Sequence, residues 1–329
     1  MFGLADKLSF EYRFIIEKYW LIFLFVFLII CLYSLDRFNL IINGVTREEL
    51  VFDSDRGRFM MLVSPMVIVL TAVAFVFNYS LKVKFLLFLS LVMTSLYMLS
   101  RSDLLSVLYL SILLMCLKEV KLKVAAKLFF SAMLLLVFVG VMTIYQGRVD
   151  GFFSSLGAVV EALIKYRTFA LYLSEYSAQK MSGDVESVLF PFFGFFIERF
   201  LSIFSSISNP VVVQGSEFVY EFIWLGDHIS LSANVVYPWW SWFYGHFGYF
   251  GLILKLIYIY VIFYFLKNKF VFTTIFLLNV VLFQSFTKHP FLNNDSVYQF
   301  FSYIFLDCVL IFYIRFSKSE NYYVNKNHF

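Results

Sequence analysis

The sequence predicts an all-α integral membrane protein with about eight to ten transmembrane helices and one large external loop. Of its 329 residues, 61% are apolar and only 15% are charged, whereas about a quarter of the residues of a soluble domain are charged. The apolar residues form separate runs close to the length that crosses a bilayer, and basic residues collect in alternate connecting segments. These observations exclude a soluble globular enzyme.

Eight apolar runs predict the transmembrane helices. Several are shorter than the ~20 residues of an ordinary span, and flanking aromatic residues, snorkelling lysines and local bilayer thinning accommodate the difference. In chain order, the runs are Trp20–Leu35, Phe59–Phe77, Phe85–Leu99, Leu104–Leu117, Leu128–Tyr145, Phe247–Leu266, Phe270–Phe286 and Tyr298–Ile314.

The distribution of basic residues predicts the orientation of these helices. Of the 26 Lys and Arg residues, 14 lie in short segments on one side, 11 are scattered over the longer segments of the other side, and Lys255 lies inside a run. Because cytoplasmic loops are enriched in Lys and Arg, the first side is cytoplasmic. Both termini are therefore predicted to be cytoplasmic, including a tail at about 315–329. The fourteen residues are Lys7, Arg13, Lys18, Lys82, Lys84, Lys118, Lys121, Lys123, Lys127, Lys267, Lys269, Arg315, Lys318 and Lys326.

The predicted external loop covers about residues 146–246, within a single transmembrane domain of residues 1–329. Ser154–Ser177 has the spacing of an amphipathic helix lying in the membrane interface. Val188–Ile207 is apolar enough to enter the bilayer but is interrupted by Pro191 and Gly194, which predicts a re-entrant or interfacial helix broken near its start. If both segments crossed the membrane, the number of spans would rise to ten and the orientation would not change.

Charge and motifs limit the possible functions. The net charge of +4 is too small for a nucleic-acid-binding protein. The three cysteines lie in apolar runs and are expected to be buried and unpaired. The sequence contains no nucleotide-binding glycine motif, no zinc-binding His-Glu-x-x-His and no serine-hydrolase elbow. A reaction catalysed by this chain would therefore use a substrate that is already activated, such as a lipid-linked sugar diphosphate.

Arginines and histidines on the predicted external side are the candidate functional residues. Guanidinium groups bind phosphate oxygens in pairs, and a neutral imidazole accepts a proton near pH 7. Alternatively, each arginine contacts lipid phosphates or caps a helix, and Arg101 pairs locally with Asp103. The candidates are Arg101, Arg148, Arg167, Arg199, His228, His246 and His289, with Lys288 beside the last.

Three weaker features also have structural explanations. Asp53 and Asp55 form an Asp-x-Asp pair that could bind a metal ion but is better explained as part of a loop. The aromatic residues of Tyr237–Gly251 favour an interfacial belt over sugar stacking, and their glycines favour close helix packing. Lys255 and Asp307 have opposite charge and similar depth in their runs, which predicts a structural ion pair.

Three stretches resemble the Wzy-type O-antigen polymerases, which join oligosaccharide repeat units during bacterial surface-polysaccharide synthesis. Leu99–Ser106 is similar to the arginine turn of that family, and Pro191–Arg199, continuing to Pro210, is similar to its external helix and proline-containing loop. Ser232–Gly251 resembles the segment that re-enters the membrane before the closing helices. Together these stretches and their flanks cover about half of the chain in outline.

The resemblance implies a metal-independent glycosyltransferase of the bacterial inner membrane that takes part in lipopolysaccharide O-antigen synthesis and needs no cofactor. The growing glycan would leave undecaprenyl diphosphate for a hydroxyl of a new lipid-linked repeat unit at the periplasmic face, and a chain-length regulator protein would be a partner. Arg199 and Arg167 would bind the diphosphate with support from Arg101, and His228 or His246 would act as the base.

Three other functions remain open from the sequence. They are an O-antigen-ligase-like enzyme, a GT-C-like glycosyltransferase that uses a metal ion at Asp53 or Asp55, and a flippase or transporter that depends on Lys255 and Asp307.

Overall fold

The computed structural model describes residues 2–43, 57–98, 102–118, 185–204, 237–267, 269–285, 289–292 and 294–326, with isolated positions between 137 and 171. These described residues are helical and contain no β-strand. Contacts divide the chain into two compact units. Unit 1 comprises residues 1–156, 267–275 and 301–329, and unit 2 comprises 157–266 and 276–300.

The N-terminal helices of unit 1 form one continuous amphipathic rod. Helix α1 (Phe2–Asp6) continues through a π-helical turn (Lys7–Glu11) into α2 (Tyr12–Lys18). The side chains of Leu4, Leu8, Tyr12 and Ile16 recur every fourth residue and are all buried. A spacing of four drifts around an ordinary helix of 3.6 residues per turn, and the wider π-helical turn keeps the apolar stripe on one face.

Four longer helices follow in unit 1: α3 (Trp20–Ile42), α4 (Arg58–Val76), α5 (Leu81–Met98) and α6 (Ser102–Lys118). Helix α5 packs against α3 and α4, and α6 packs against α4. The Tyr79 hydroxyl donates to the Leu8 carbonyl, and the Ser80 N–H donates to the Glu17 carboxylate. These two hydrogen bonds attach the N-terminal rod to the turn between α4 and α5.

Glycines interrupt the described helices of unit 2 at two positions, Gly194 and Gly248. Helices α7 (Val185–Phe193) and α8 (Phe195–Leu201) meet at Gly194, where φ is 54° and ψ is −139°. Helix α9 (Trp239–Leu266) is interrupted at Gly248, where φ is 57° and ψ is −145°. Left-handed backbone of this kind is readily adopted only by glycine. The break expected in Val188–Ile207 therefore occurs at Gly194, whereas Pro191 lies inside α7.

The break at Gly248 folds segment 239–247 back along segment 249–266. A Cβ atom on Gly251 would lie 2.1 Å from the Phe243 carbonyl oxygen, and the Lys255 ammonium lies 5.0 Å from the ring centroid of Trp239. As the chain advances from 251 to 255, its partner position therefore moves from 243 back to 239. This pairing makes the two segments antiparallel.

Two further helices complete the described structure. Helix α10 (Val271–Asn279) continues into a π-helical turn (Val280–Gln284), and α11 covers Asn294–Lys326. Asp307 on α11 accepts hydrogen bonds from the backbone N–H groups of Phe272 and Thr273 at 2.9 and 2.8 Å. Its carboxylate thus satisfies donors that the first turn of α10 would otherwise leave unpaired.

Among the described residues, four helical stretches are long and apolar enough to cross a membrane: Trp20–Leu40, Arg58–Val76, Trp239–Leu266 and Asp295–Ile314. In the third stretch, the break at Gly248 leaves segment 249–266 as the straight part. The described helices coincide with seven of the eight predicted apolar runs. Helices α5 and α6 are not among these four stretches, and Val271–Gln284 is a shorter apolar helix. The run Leu128–Tyr145 and the amphipathic segment Ser154–Ser177 lie largely outside the described residues. Eight to ten spans therefore remain a prediction.

We expect Gly251→Ala to destabilise the protein because its new methyl group would overlap the Phe243 carbonyl. Overpacking of this kind lowers the free energy of unfolding by about 1–3 kcal/mol. Thermal unfolding of the purified chain in detergent, followed by tryptophan fluorescence, measures the effect. Gly157→Ala is the matched control because no described atom lies within 4 Å of the position that its methyl group would occupy. Equal midpoints for the two variants would contradict the fold-back at Gly248.

Candidate functional site

An antiparallel pair of short helices in unit 2 forms the framework of the candidate site. Helix α7 faces segment 239–247 through three successive contacts, which join Ser187 to His246, Phe190 to Trp242 and Pro191 to Trp239. As residue numbers rise along α7, those of the partner segment fall. The contact between Ser187 and His246 therefore lies at the end of the pair nearest the Gly248 break, and Trp239 lies at the opposite end.

The Ser187 hydroxyl oxygen lies 3.0 Å from Nε2 of His246. Ser187 is buried and His246 is half-buried. When Nε2 carries no proton, the hydroxyl donates to it, and when Nε2 is protonated, the hydroxyl oxygen accepts. Nδ1 makes no hydrogen bond with a described residue. A half-exposed imidazole that is oriented at one nitrogen and has the other available is suited to proton transfer.

His289 has a different environment, although the sequence grouped it with His246. It has no exposed surface, and Nε2 lies 3.0 Å from the Pro191 carbonyl oxygen, while Nδ1 lies 3.0 Å from the backbone nitrogen of Phe291. A carbonyl only accepts and a backbone N–H only donates. These contacts therefore require the neutral tautomer with its proton on Nε2.

The charge state of His289 follows from the same surroundings. Its pKa is lowered to about 3, mainly by burial and to a smaller extent by the nearby Lys255 ammonium, whereas the hydrogen bond to the Pro191 carbonyl opposes the shift. A neutral imidazole with both nitrogens hydrogen-bonded inside the protein has no donor left for a phosphate. This geometry assigns His289 to the framework of unit 2.

His289 and Phe291 hold the corner at Gly194. The Phe195 N–H donates to the Phe291 carbonyl at 2.7 Å. A Cβ atom on Gly194 would lie 2.3 Å from that carbonyl oxygen and 2.8 Å from Cε1 of His289. Glycine is therefore required both for its backbone angles and for the close approach of these residues.

Arg199 lies on α8, beyond the Gly194 corner. Its side chain is exposed, and its guanidinium carbon lies 4.8 Å from the ring centroid of Phe195. The guanidinium makes no hydrogen bond or ion pair with a described residue. No contact links Arg199 to His246 among the described residues, so the structure does not bring these two predicted residues together directly.

The remaining candidates from the sequence lie outside the described residues. They are Arg101, Arg148, Arg167, His228 and Lys288, together with Asp53 and Asp55 of the Asp-x-Asp pair. Among the residues that the structure describes, no group of three or more His, Cys, Asp or Glu side chains is arranged to hold a metal ion.

Lys255 and Asp307, which the sequence suggested as an ion pair, belong to different units, and each has partners in its own unit. Asp307 accepts hydrogen bonds from Phe272 and Thr273. Lys255 lies over the indole ring of Trp239 on the helix face that carries Gly251 and Tyr258. In unit 2 it makes no ion pair or hydrogen bond with a described residue.

Sequence reasoning did not identify Ser187 as a functional residue. It lies 59 positions before His246, and serine occurs at many positions in this chain. The Lys255–Trp239 contact could not be predicted from the sequence either, because it depends on the fold-back at Gly248. The spacing of Gly251, Lys255 and Tyr258 on one helix face was the available signal that Lys255 faces protein.

Comparisons with family models, with curated proteins and with solved structures give no significant match to this chain.

We expect the buried His289 to make stability depend on pH. Its folded pKa of about 3 lies below the ordinary value of 6.5, so the unfolded chain binds a proton that the folded chain excludes. The stabilisation that results is present above about pH 6.5 and is lost as the pH falls towards about 3. Unfolding midpoints of the wild type and of His289→Gln, measured between pH 7 and pH 4, should converge as the pH is lowered. A constant difference across this range would contradict a buried, neutral His289.

Proposed function

We propose that this chain is a polymerase of bacterial surface polysaccharides that acts on lipid-linked repeat units at the periplasmic face of the inner membrane. The observation that carries the proposal is the contact between Ser187 and His246, which orients a half-buried imidazole among glycine-broken helices. The apolar helices long enough to cross a membrane support a lipid-linked substrate.

The proposed reaction transfers the growing glycan from undecaprenyl diphosphate to an acceptor sugar. The acceptor hydroxyl oxygen forms a bond with the anomeric carbon, and the bond between that carbon and the diphosphate oxygen breaks. The leaving undecaprenyl diphosphate retains the bonding electron pair, and the proton of the acceptor passes to His246. General-base catalysis of this kind accelerates reactions by about 10²–10⁴-fold.

Positive side chains would stabilise the charge that develops on the departing diphosphate. Arg199 is suited to this role because its guanidinium is exposed and makes no ion pair with a described residue. Arg167, Arg101, Arg148 and Lys288 are further candidates for phosphate contact, and His228 is the alternative base. His289 is omitted because its ring nitrogens already have partners.

The proposed topology follows from the positions of the basic residues. Both termini and the Lys-rich turns would lie in the cytoplasm, and residues 146–246 would face the periplasm. Eight to ten spans remain the proposed number. In this orientation, His246 precedes a helix that enters the membrane from the outside, which is where a lipid-linked glycan would be accessible.

An O-antigen-ligase-like reaction is the nearest alternative, because it would use similar arginine and histidine side chains with a different acceptor. The lipid-linked glycan profile of a deletion strain distinguishes the candidates. Single repeat units on the surface favour the polymerase, a complete polymer that remains on its lipid favours the ligase, and intermediates trapped inside the cell favour a flippase.

We expect His246→Ala to reduce polymer formation by about 10²–10⁴-fold, since the base is removed. Ser187→Ala should have a smaller effect, because it removes only the orienting hydrogen bond. The measurement is the chain-length profile formed by the purified chain from lipid-linked repeat units. Ser9→Ala is a matched control, because the described hydrogen bond of this serine is to the Asp6 backbone carbonyl in the N-terminal rod. Wild-type polymer from His246→Ala would refute the assignment of this base.

Arg199→Ala tests the proposed stabilisation of the leaving group. We expect it to abolish the polymer while single lipid-linked units persist, and Arg199→Lys to restore part of the rate because the positive charge remains.

The same assay in EDTA separates the polymerase from a metal-dependent glycosyltransferase. We expect activity to persist, and its loss, with recovery on addition of a divalent cation, would favour the metal-dependent alternative.

A further inference from the structure

We propose that Lys255 binds a phosphate group of a lipid-borne anion, and that it holds the diphosphate of the polyprenyl carrier in the site containing His246. The identity of the lipid rests on the proposed function, whereas the anion site rests on the geometry around Lys255. This assigns a binding role to a residue for which the sequence suggested an ion pair with Asp307 or, in the flippase alternative, a role in transport.

The first argument is that no described residue of unit 2 compensates the charge of Lys255. Its ammonium lies 5.0 Å from the Trp239 ring centroid, beside the His289 imidazole, which is neutral. It makes no ion pair or hydrogen bond with a described residue of unit 2. A cation over an aromatic ring gains only part of what it loses by leaving water. An anion bound next to it would supply the missing charge.

The second argument is that a buried donor on the same short helix as Trp239, the indole N–H of Trp242, lacks a described acceptor. Trp242, one helical turn from Trp239, is 3% exposed, and its indole N–H has no hydrogen-bond partner among the described residues. The Pro191 carbonyl nearby already accepts from the indole of Trp239 and the ring of His289. An unpaired buried indole N–H one helical turn from the ring that Lys255 covers is consistent with a ligand that only accepts hydrogen bonds, as a phosphate does.

The third argument is the order of groups along the helix pair. Lys255 lies at the Trp239 end, and His246 lies seven residues further along segment 239–247, about 10 Å away at 1.5 Å per residue. Segment 249–266 begins directly after Gly248, and in the proposed topology this end of the segment, close to His246, lies on the external side of the membrane. A lipid-linked glycan has the same order from inside to outside, namely hydrocarbon tail, diphosphate and sugar. Lys255 would hold the diphosphate and His246 would face the sugar.

Binding and stability of Lys255→Met test this proposal together. The full chain in nanodiscs is titrated with undecaprenyl diphosphate. We expect about a 10–100-fold loss of affinity, corresponding to a lost charge-assisted hydrogen bond. We also expect an unchanged or higher unfolding midpoint, because methionine fills a similar volume without an uncompensated charge. Lys255→Arg should keep the affinity within a few-fold of the wild type. Lys269→Met, which removes an exposed lysine, is the control and should bind undecaprenyl diphosphate with the affinity of the wild type.

Each outcome has a distinct meaning. Unchanged affinity in Lys255→Met would overturn the proposal even if the chain makes polymer. A lower unfolding midpoint together with weaker binding would also overturn it, because Lys255 would then be structural. If inorganic pyrophosphate, at the same concentration as undecaprenyl diphosphate, displaced that lipid from the chain, the lipid assignment would be overturned in favour of a soluble phosphate. Lys255-dependent binding in a chain that forms no polymer would support the anion site and reject the polymerase.

Discussion

The constraint on which unit 2 depends is that every interrupted helix must find new partners for its backbone. At Gly194, the Phe195 N–H donates to the Phe291 carbonyl, and at the start of segment 239–247, the Trp239 N–H donates to the Ser285 carbonyl. In an apolar environment no water can replace such partners, and each unsatisfied group costs several kcal/mol. The Gly194 corner and the start of segment 239–247 are therefore each held by a backbone carbonyl, that of Phe291 and that of Ser285 respectively.

Aromatic side chains with a polar atom extend this arrangement beyond the backbone. Trp239 and His289 both donate to the Pro191 carbonyl, and the Tyr258 hydroxyl donates to the Phe192 carbonyl. Each of these residues supplies a large apolar surface together with one correctly placed donor. The carbonyls near the end of α7, which an α-helix leaves unpaired, are satisfied in this way. A rigid framework results, against which His246 and Lys255 can be positioned.

The sequence predicted the helices better than the site because the two depend on different information. Apolar runs are local, and the described helices coincide with seven of the eight; the break near Gly194 was also local, since glycine permits the left-handed backbone. The contacts of Ser187 with His246 and of His289 with Pro191 join residues 59 and 98 positions apart. Residue type alone therefore could not distinguish a half-exposed histidine from one buried in the framework.

The two described histidines show why burial decides chemical role. His289 has hydrogen bonds at both ring nitrogens and no exposed surface, so the protein would have to break a contact before the ring could take up a proton. His246 has a hydrogen bond to Ser187 at one nitrogen and remains half-buried, so a proton can be gained without dismantling the fold. Lys255 belongs with His246 in this respect, because its ammonium has no described counter-charge. His246 and Lys255 each keep an unused hydrogen-bonding or charged group among the described residues, and a substrate can bind to a group of this kind without displacing a protein contact.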